Sequence, residues 1–123
     1  MIRIVGVQKS ERADKEFILL QNQGSMRINL RGHCLICDEA VGASDPSRGI
    51  HVFADEEMVP AGMYVLLVSG GGEPRWARSR DGALIYYAYM NRAAPVWSRC
   101  EGTLHMLSPH HTYAERGEAL LLR

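Results

Sequence analysis

Net charge is missing from this chain. Its 14 basic and 14 acidic residues cancel, so no global field gathers nucleic acid or an acidic membrane, and any such binding has to be local. Lysine is scarce as well: Lys9 and Lys15 are the only two, which leaves arginine, a residue suited to planar bidentate contacts, to supply the rest of the basic surface. No apolar run approaches the ~20 residues needed to cross a bilayer, and Met1-Ile2-Arg3-Ile4-Val5-Gly6-Val7 is too short and interrupted for an export-signal core. The expectation is a cytoplasmic protein with no membrane contact. Three cysteines, Cys34, Cys37 and Cys100, cannot all pair within one chain, which suits a reducing compartment better than a disulfide framework. A chain of 123 residues fits a single domain, residues 1–123, that buries roughly two thirds of its unfolded surface and needs no disulfide or metal to hold a core.

The chemistry-bearing patterns are incomplete. Cys34-Leu35-Ile36-Cys37 has the spacing of a metal grip, but no second pair follows it, and in a strand residues three apart point to opposite faces. The thiols therefore read as small buried hydrophobes. Gly70-Gly71-Gly72 follows a strand without the Lys-Ser/Thr that would finish a phosphate loop, and reads as a flexible hairpin loop. Asp55-Glu56-Glu57 reads as a solvated bend rather than a cation site. His105, His110 and His111, with His33 and His51, are candidates for metal or acid-base groups, but His110-His111 after Pro109, with no spaced carboxylate or cysteine partner following, reads as an exposed turn. There is no nucleophile-elbow pattern. No catalytic residue, metal ligand or cofactor is assigned.

What the sequence has is a succession of short apolar runs, rich in β-branched and aromatic residues and punctuated by turns. Strands are predicted at Ile2 to Gln8, Glu16 to Gln21, Met26 to Leu30, His33 to Cys37, Ile50 to Phe53, Met63 to Ser69, Leu84 to Met90, Thr103 to Leu107 and Ala119 to Leu122. Ile2, Ile4 and Val7 share one face against Arg3, as expected of a sheet that covers a core on one side. Phe17 to Leu20 and Val65 to Val68 are apolar on both faces and are predicted to lie centrally. Asn22-Gln23-Gly24-Ser25, Arg31-Gly32, Pro60-Ala61-Gly62, Arg80-Asp81-Gly82 and Glu101-Gly102 each offer a turn glycine. Helix is limited to a turn or so at Ser10 to Phe17 and Asp55 to Met58. The fold class is all-β, a sandwich of about eight or nine short strands, with Gly70 to Asp81 and Asn91 to Arg99 as its longest irregular connections.

The order of these elements resembles the lamin tail domain family. Glu16-Phe17-Ile18-Leu19-Leu20-Gln21-Asn22-Gln23-Gly24, then Ile28-Asn29-Leu30-Arg31-Gly32, then Ile36-Cys37-Asp38 are similar to the family's opening half. Val59-Pro60-Ala61-Gly62 before Met63-Tyr64-Val65-Leu66-Leu67-Val68-Ser69-Gly70 continues the likeness. So does Val96-Trp97 followed by Gly102-Thr103-Leu104-His105-Met106-Leu107. The chain departs from the family at Glu101 and at His110-His111, where an acidic turn is usual. The resemblance implies an immunoglobulin-like sandwich used as an interaction module, in lamins for protein and nucleic-acid contacts.

The candidate binding residues are Arg75, Trp76, Arg78 and Arg80, joined by Arg92, Arg99 and Trp97, because arginine beside an exposed indole suits stacking on bases, phosphates or a peptide. The expected function is a non-catalytic interaction or assembly module with a protein partner, with a homodimer through edge strands at Ile2 to Gln8 or Ala119 to Leu122 as one form of it. Its rivals are a nucleic-acid-binding module using the Arg/Trp loop and a small metal-dependent hydrolase.

Overall fold

Residues 1–43 and 45–109 are described by a computed structural model. Strands dominate them: β1 (Ile2–Gln8), β2 (Phe17–Asn22), β3 (Ile28–Asn29), β4 (Cys34–Cys37), β5 (Ile50–Val52), β6 (Met58–Val59), β7 (Tyr64–Val68), β8 (Arg75–Arg78), β9 (Leu84–Tyr89) and β10 (Leu104–Leu107). Among the described residues helix is confined to α1 (Asp38–Val41) and two 3-10 turns, Ala13–Lys15 and Pro46–Gly49. The fold is an all-β sandwich. One layer is a five-stranded sheet in the order β1-β2-β7-β9-β8; opposite it lie the three-stranded β10-β4-β5 and the two-stranded β3-β6. None of the described helices is long and apolar enough to cross a membrane.

The two runs that are apolar on both faces, β2 and β7, lie side by side inside the large sheet, in antiparallel register with Phe17 opposite Val68 and Leu19 opposite Leu66. Alternation then fixes what each side chain meets. Ile18, Leu20, Val65 and Leu67 are fully buried, and with Tyr86 and Ala88 of β9 they pack on Leu30, Leu35, Phe53, Val59 and Trp97 from the other side of the sandwich. Burying one such aliphatic side chain is worth about 1.5–3 kcal/mol, so this cluster is the main source of stability. In β1 the register shifts between Ile4 and Gly6. That bulge lets Ile2, Ile4 and Val7 align with core-facing β2 residues although Val7 breaks the odd–even rule.

Turn chemistry does much of the punctuation. Gly32, Gly62 and Gly82 have positive φ, the conformation a side chain resists. Asn22 is fully buried and uses its amide twice, donating to the carbonyls of Met26 and Val59 at 2.8 and 2.9 Å, while its Oδ1 accepts the Gly24 N–H at 3.0 Å. One side chain thereby closes the turn after β2 and ties it to β6.

Four features depart from the sequence expectation. β8 forms within the stretch read as irregular, and β6 replaces part of the expected helical turn at Asp55 to Met58. The three glycines after β7 do not close a hairpin, because β7 pairs in parallel with β9 and β8 lies beyond it. Gly70 is packed on the 3-10 turn, where an added Cβ would lie 2.9 Å from Asp14 backbone atoms. The thiol reading is corrected too: Cys37 and Cys100 form a disulfide spanning 63 residues, leaving Cys34 free. An odd cysteine count leaves one sulfur over without keeping the other two apart, so it carries no weight for a reducing compartment. The strand predicted at Ala119 to Leu122 and the His110-His111 pair lie outside the described residues.

Candidate interaction surfaces

The Arg/Trp stretch becomes the edge strand β8 and the hairpin that leads into β9. Arg75 faces outward, its guanidinium carbon 4.2 Å above the centroid of the Tyr87 ring and one nitrogen donating to the Tyr89 hydroxyl at 2.7 Å. Trp76 turns the other way. Its indole packs on Tyr86 with ring centroids 5.2 Å apart, and its Nε1 donates to Glu57 at 3.0 Å, so it is half-buried rather than presented as a stacking platform. Arg78 donates to the Gly82 carbonyl at 3.1 Å, and Arg80 is exposed at the hairpin tip. Trp97 is fully buried in the core.

Arg92 and Arg99 come together elsewhere, and Arg48 joins them. These three line a cleft of about 300 Å³ with Ala94, Pro95 and Val96 among the residues beneath them. Sequence reading had missed Arg48, because its neighbours in space lie more than forty positions along the chain.

The segment bearing Arg92 and Arg99 is held in place by a buried acid. Glu16 is fully buried, and its Oε1 accepts the Ser69 hydroxyl at 2.5 Å and the backbone N–H groups of Val96 and Trp97 at 2.7 and 2.9 Å; Oε2 accepts that of Ser98 at 2.8 Å. Three backbone donors around one carboxylate satisfy a charge that would otherwise be costly to bury. The Arg92 N–H bonds the Ser69 carbonyl at 2.9 Å, and Cys100 is fixed by its disulfide, so the segment is anchored at both ends.

The third surface is the outer face of the large sheet. Register places Phe17 and Leu19 of β2 beside Val68 and Leu66 of β7, and these beside Tyr89 and Tyr87 of β9, with Tyr64 and Ile85 in the next row. All eight are half-buried, and none joins the core cluster. Gln8, Gln21, Arg3 and Arg75 stand at the margins. The sequence had signalled this face as strands apolar on both sides, a pattern normally explained by burial on both sides.

The remaining polar groups disperse. Asp55 accepts from the Tyr86 hydroxyl at 2.7 Å, Glu56 pairs with Arg31 at 2.5 Å and Glu57 takes the Trp76 indole, so the three acids turn to three partners. The carboxylate of Asp55 and burial both hold the Tyr86 hydroxyl far above its usual ionisation range, burial being the larger cause. His33 is buried, with Nδ1 at 3.0 Å from the Leu30 carbonyl and Nε2 at 3.2 Å from the Ser108 hydroxyl, which makes Nδ1 the donor and ties β10 to the corner before β4. His105 pairs with Asp38 at 3.0 Å. Cys34 and Cys37 do face opposite ways, half-buried and buried in turn. The described residues hold one group of potential metal ligands, Cys37, Glu39 and Cys100, within 4.8 Å of one another, but with the sulfurs bonded to each other neither is a thiolate.

Neither protein-family models nor curated proteins give a match to this chain.

Proposed function

We propose that the domain is a non-catalytic interaction module whose protein partner docks on the outer face of the five-stranded sheet. The observation that carries this reading is the block of eight apolar and aromatic side chains on β2, β7 and β9, standing outside the core. Such a surface resembles the centre of a protein interface, where aromatic anchors are enriched and charge is depleted, with polar residues at the rim. Arg3 stands on one margin, and on the other the Arg75 guanidinium lies over the Tyr87 ring and donates to the Tyr89 hydroxyl. The complementary partner is an apolar surface bordered by acidic side chains. The likeness to lamin tail domains, which serve as interaction modules, supports the same reading.

The test is capture from native lysate on the immobilised domain, run in parallel with Leu66→Lys and Arg99→Gln variants whose folding is checked by near-ultraviolet circular dichroism. A specific protein should be retained by the parent and by Arg99→Gln and reduced at least tenfold by Leu66→Lys. Equal retention by all three, or no retained protein together with a monomeric mass that Leu66→Lys leaves unchanged, would reject the proposal.

A further inference from the structure

We infer that Cys37, Cys100 and Glu39 form a zinc site in the reduced chain, and that the disulfide is the closed state of that site. The Sγ atoms of the two cysteines and a carboxylate oxygen of Glu39 all lie within 4.8 Å of one another, near enough for one ion to touch all three. The placement of Glu39 is what the disulfide by itself leaves unexplained. Its side chain is exposed and could extend into water, yet Oε2 touches Cys37 Sγ and stands 3.5 Å from Cys100 Sγ. Sulfurs bonded to each other carry no proton to donate, and among the described residues no N–H or O–H group donates to this carboxylate. Gly102 leaves the space that the carboxylate occupies, since an added Cβ there would lie 2.9 Å from Glu39 Oε1. Two thiolates and one carboxylate are a ligand set that suits zinc, and thiolate sulfur selects it over calcium and magnesium.

The backbone holds the two cysteines near each other by bonds that survive reduction. Cys37 ends β4 opposite Leu104 of β10, and the Asp38 N–H bonds the Thr103 carbonyl at 2.8 Å. Cys100 follows the segment that Glu16 fixes at Val96, Trp97 and Ser98, and its own N–H bonds the Trp97 carbonyl at 2.9 Å. The two Cα atoms stand 6.0 Å apart. Zinc–sulfur bonds of about 2.3 Å place two tetrahedral thiolates about 3.8 Å from each other, which rotation about the Cα–Cβ bonds can supply at that separation. Opening needs a dithiol reductant: it passes two electrons and two protons to the sulfurs, the S–S bond breaks, and the reductant leaves as its own disulfide. Zinc then replaces the two thiol protons, which go to water. A cavity of about 210 Å³ bordered by Cys37, Glu39 and Cys100 admits the ion and leaves room for water as the fourth ligand. Cys34 is not part of the site, because it stands on the opposite face of β4.

The experiment reduces the chain with dithiothreitol, removes the reagent under nitrogen and titrates with Co²⁺ as the spectroscopic stand-in for zinc. The reduced chain should take up one equivalent and develop a thiolate-to-cobalt charge-transfer band with the intense visible bands of a tetrahedral site. Zinc should erase both and calcium neither, and the oxidised chain should develop none of them. Cys37→Ser and Cys100→Ser should each weaken binding at least a hundredfold, Glu39→Gln at least tenfold, and Cys34→Ser less than twofold. Because Glu39 is exposed, Glu39→Gln should leave the melting midpoint of the oxidised chain in place, so that its weaker binding is the loss of a ligand. Zinc at a hundredfold excess over its Kd should raise the melting midpoint of the reduced chain by about 5 °C or more. The inference is overturned by a reduced chain that gives no charge-transfer band or that zinc fails to stabilise, by equal binding to the oxidised chain, by bands that require Cys34, or by a Glu39→Gln variant that keeps the parent affinity. Leu66→Lys leaves these three residues in place, so failure here and failure of the docking proposal are read separately.

Discussion

Replacing Glu16 by glutamine keeps the shape of the side chain and reverses one of its two ends. The carboxylate takes four hydrogen bonds, three from backbone N–H groups and one from Ser69, and is fully buried. In Glu16→Gln the amide oxygen can serve Val96, Trp97 and Ser69, but its NH₂ then faces the Ser98 N–H, donor against donor. The loss is one orphaned buried donor, at about 1–3 kcal/mol, together with weaker bonds where charge had strengthened three others. The sum is about 2–4 kcal/mol, a large share of the 5–15 kcal/mol that typically holds a domain. Urea unfolding is the suitable assay, with indole fluorescence as the reporter because Trp97 is buried in this same segment. At a slope of about 2 kcal/mol per molar, the midpoint should fall by about 1–2 M. Glu11→Gln, at an exposed position, should stay within about 0.5 kcal/mol of the parent. If Glu16→Gln unfolds within 0.3 M of the parent, the carboxylate does not hold the segment from Val96 to Ser98 in place.

Further outcomes follow from the core and its covalent link. Protein purified without reductant should show one titratable thiol per chain in guanidinium and three after reduction. Reduction should lower stability by about 4 kcal/mol for a link across 63 residues, and three thiols before reduction would contradict the pairing. The remaining thiol, Cys34, is shifted upward by burial and should alkylate more slowly in the native protein than in the unfolded chain. His51 is shifted below 6.5 by burial, with the charge of Arg92 acting in the same direction and Asp55 opposing. Above pH 6.5 both folded and unfolded chains hold this imidazole neutral; as pH falls below that, the unfolded chain takes up the proton first, so this contribution to stability is lost on acidification. A ring titration by NMR with a midpoint at 6.5 would remove that contribution, and one above it would reverse the sign. Gly70→Ala should cost about 1–3 kcal/mol in a melt, because its Cβ would press on the backbone at Asp14, whereas Gly71→Ala, whose nearest neighbour is 3.4 Å away, should be nearly neutral.

The strands were legible because their signals are local. The short apolar runs of β2, β7 and β9 and the glycines at 32, 62 and 82 act within a few residues, and the structure places them accordingly. β3 and β6 are only two residues each, and β8 reads Arg-Trp-Ala-Arg, too short or too polar to alternate visibly. Their pairing depends on neighbours supplied by the rest of the fold, as when Glu57 draws in the Trp76 indole. The disulfide, the Glu16 clamp and the arginine cleft were illegible for one shared reason. Each joins residues that lie roughly 45 to 80 positions apart, and nothing in the local pattern marks an isolated Glu before a strand or a lone Arg48 as a partner of a distant loop.

The outer sheet face differs from these, since its pattern was visible and its meaning was not. Strands apolar on both sides ordinarily signal a sheet covered on both sides. Here β2, β7 and β9 use one side for the core and leave the other half-buried, outside the core cluster. Apolar side chains cannot be excused as a backbone requirement, because threonine or lysine would satisfy the same strand geometry on a solvated face. A domain that had only to fold would gain solubility from such replacements at Leu19, Leu66 and Val68 and lose little of its core. On the docking proposed above a second surface would bury these rows, and substitution at Leu66 separates that docking from stability.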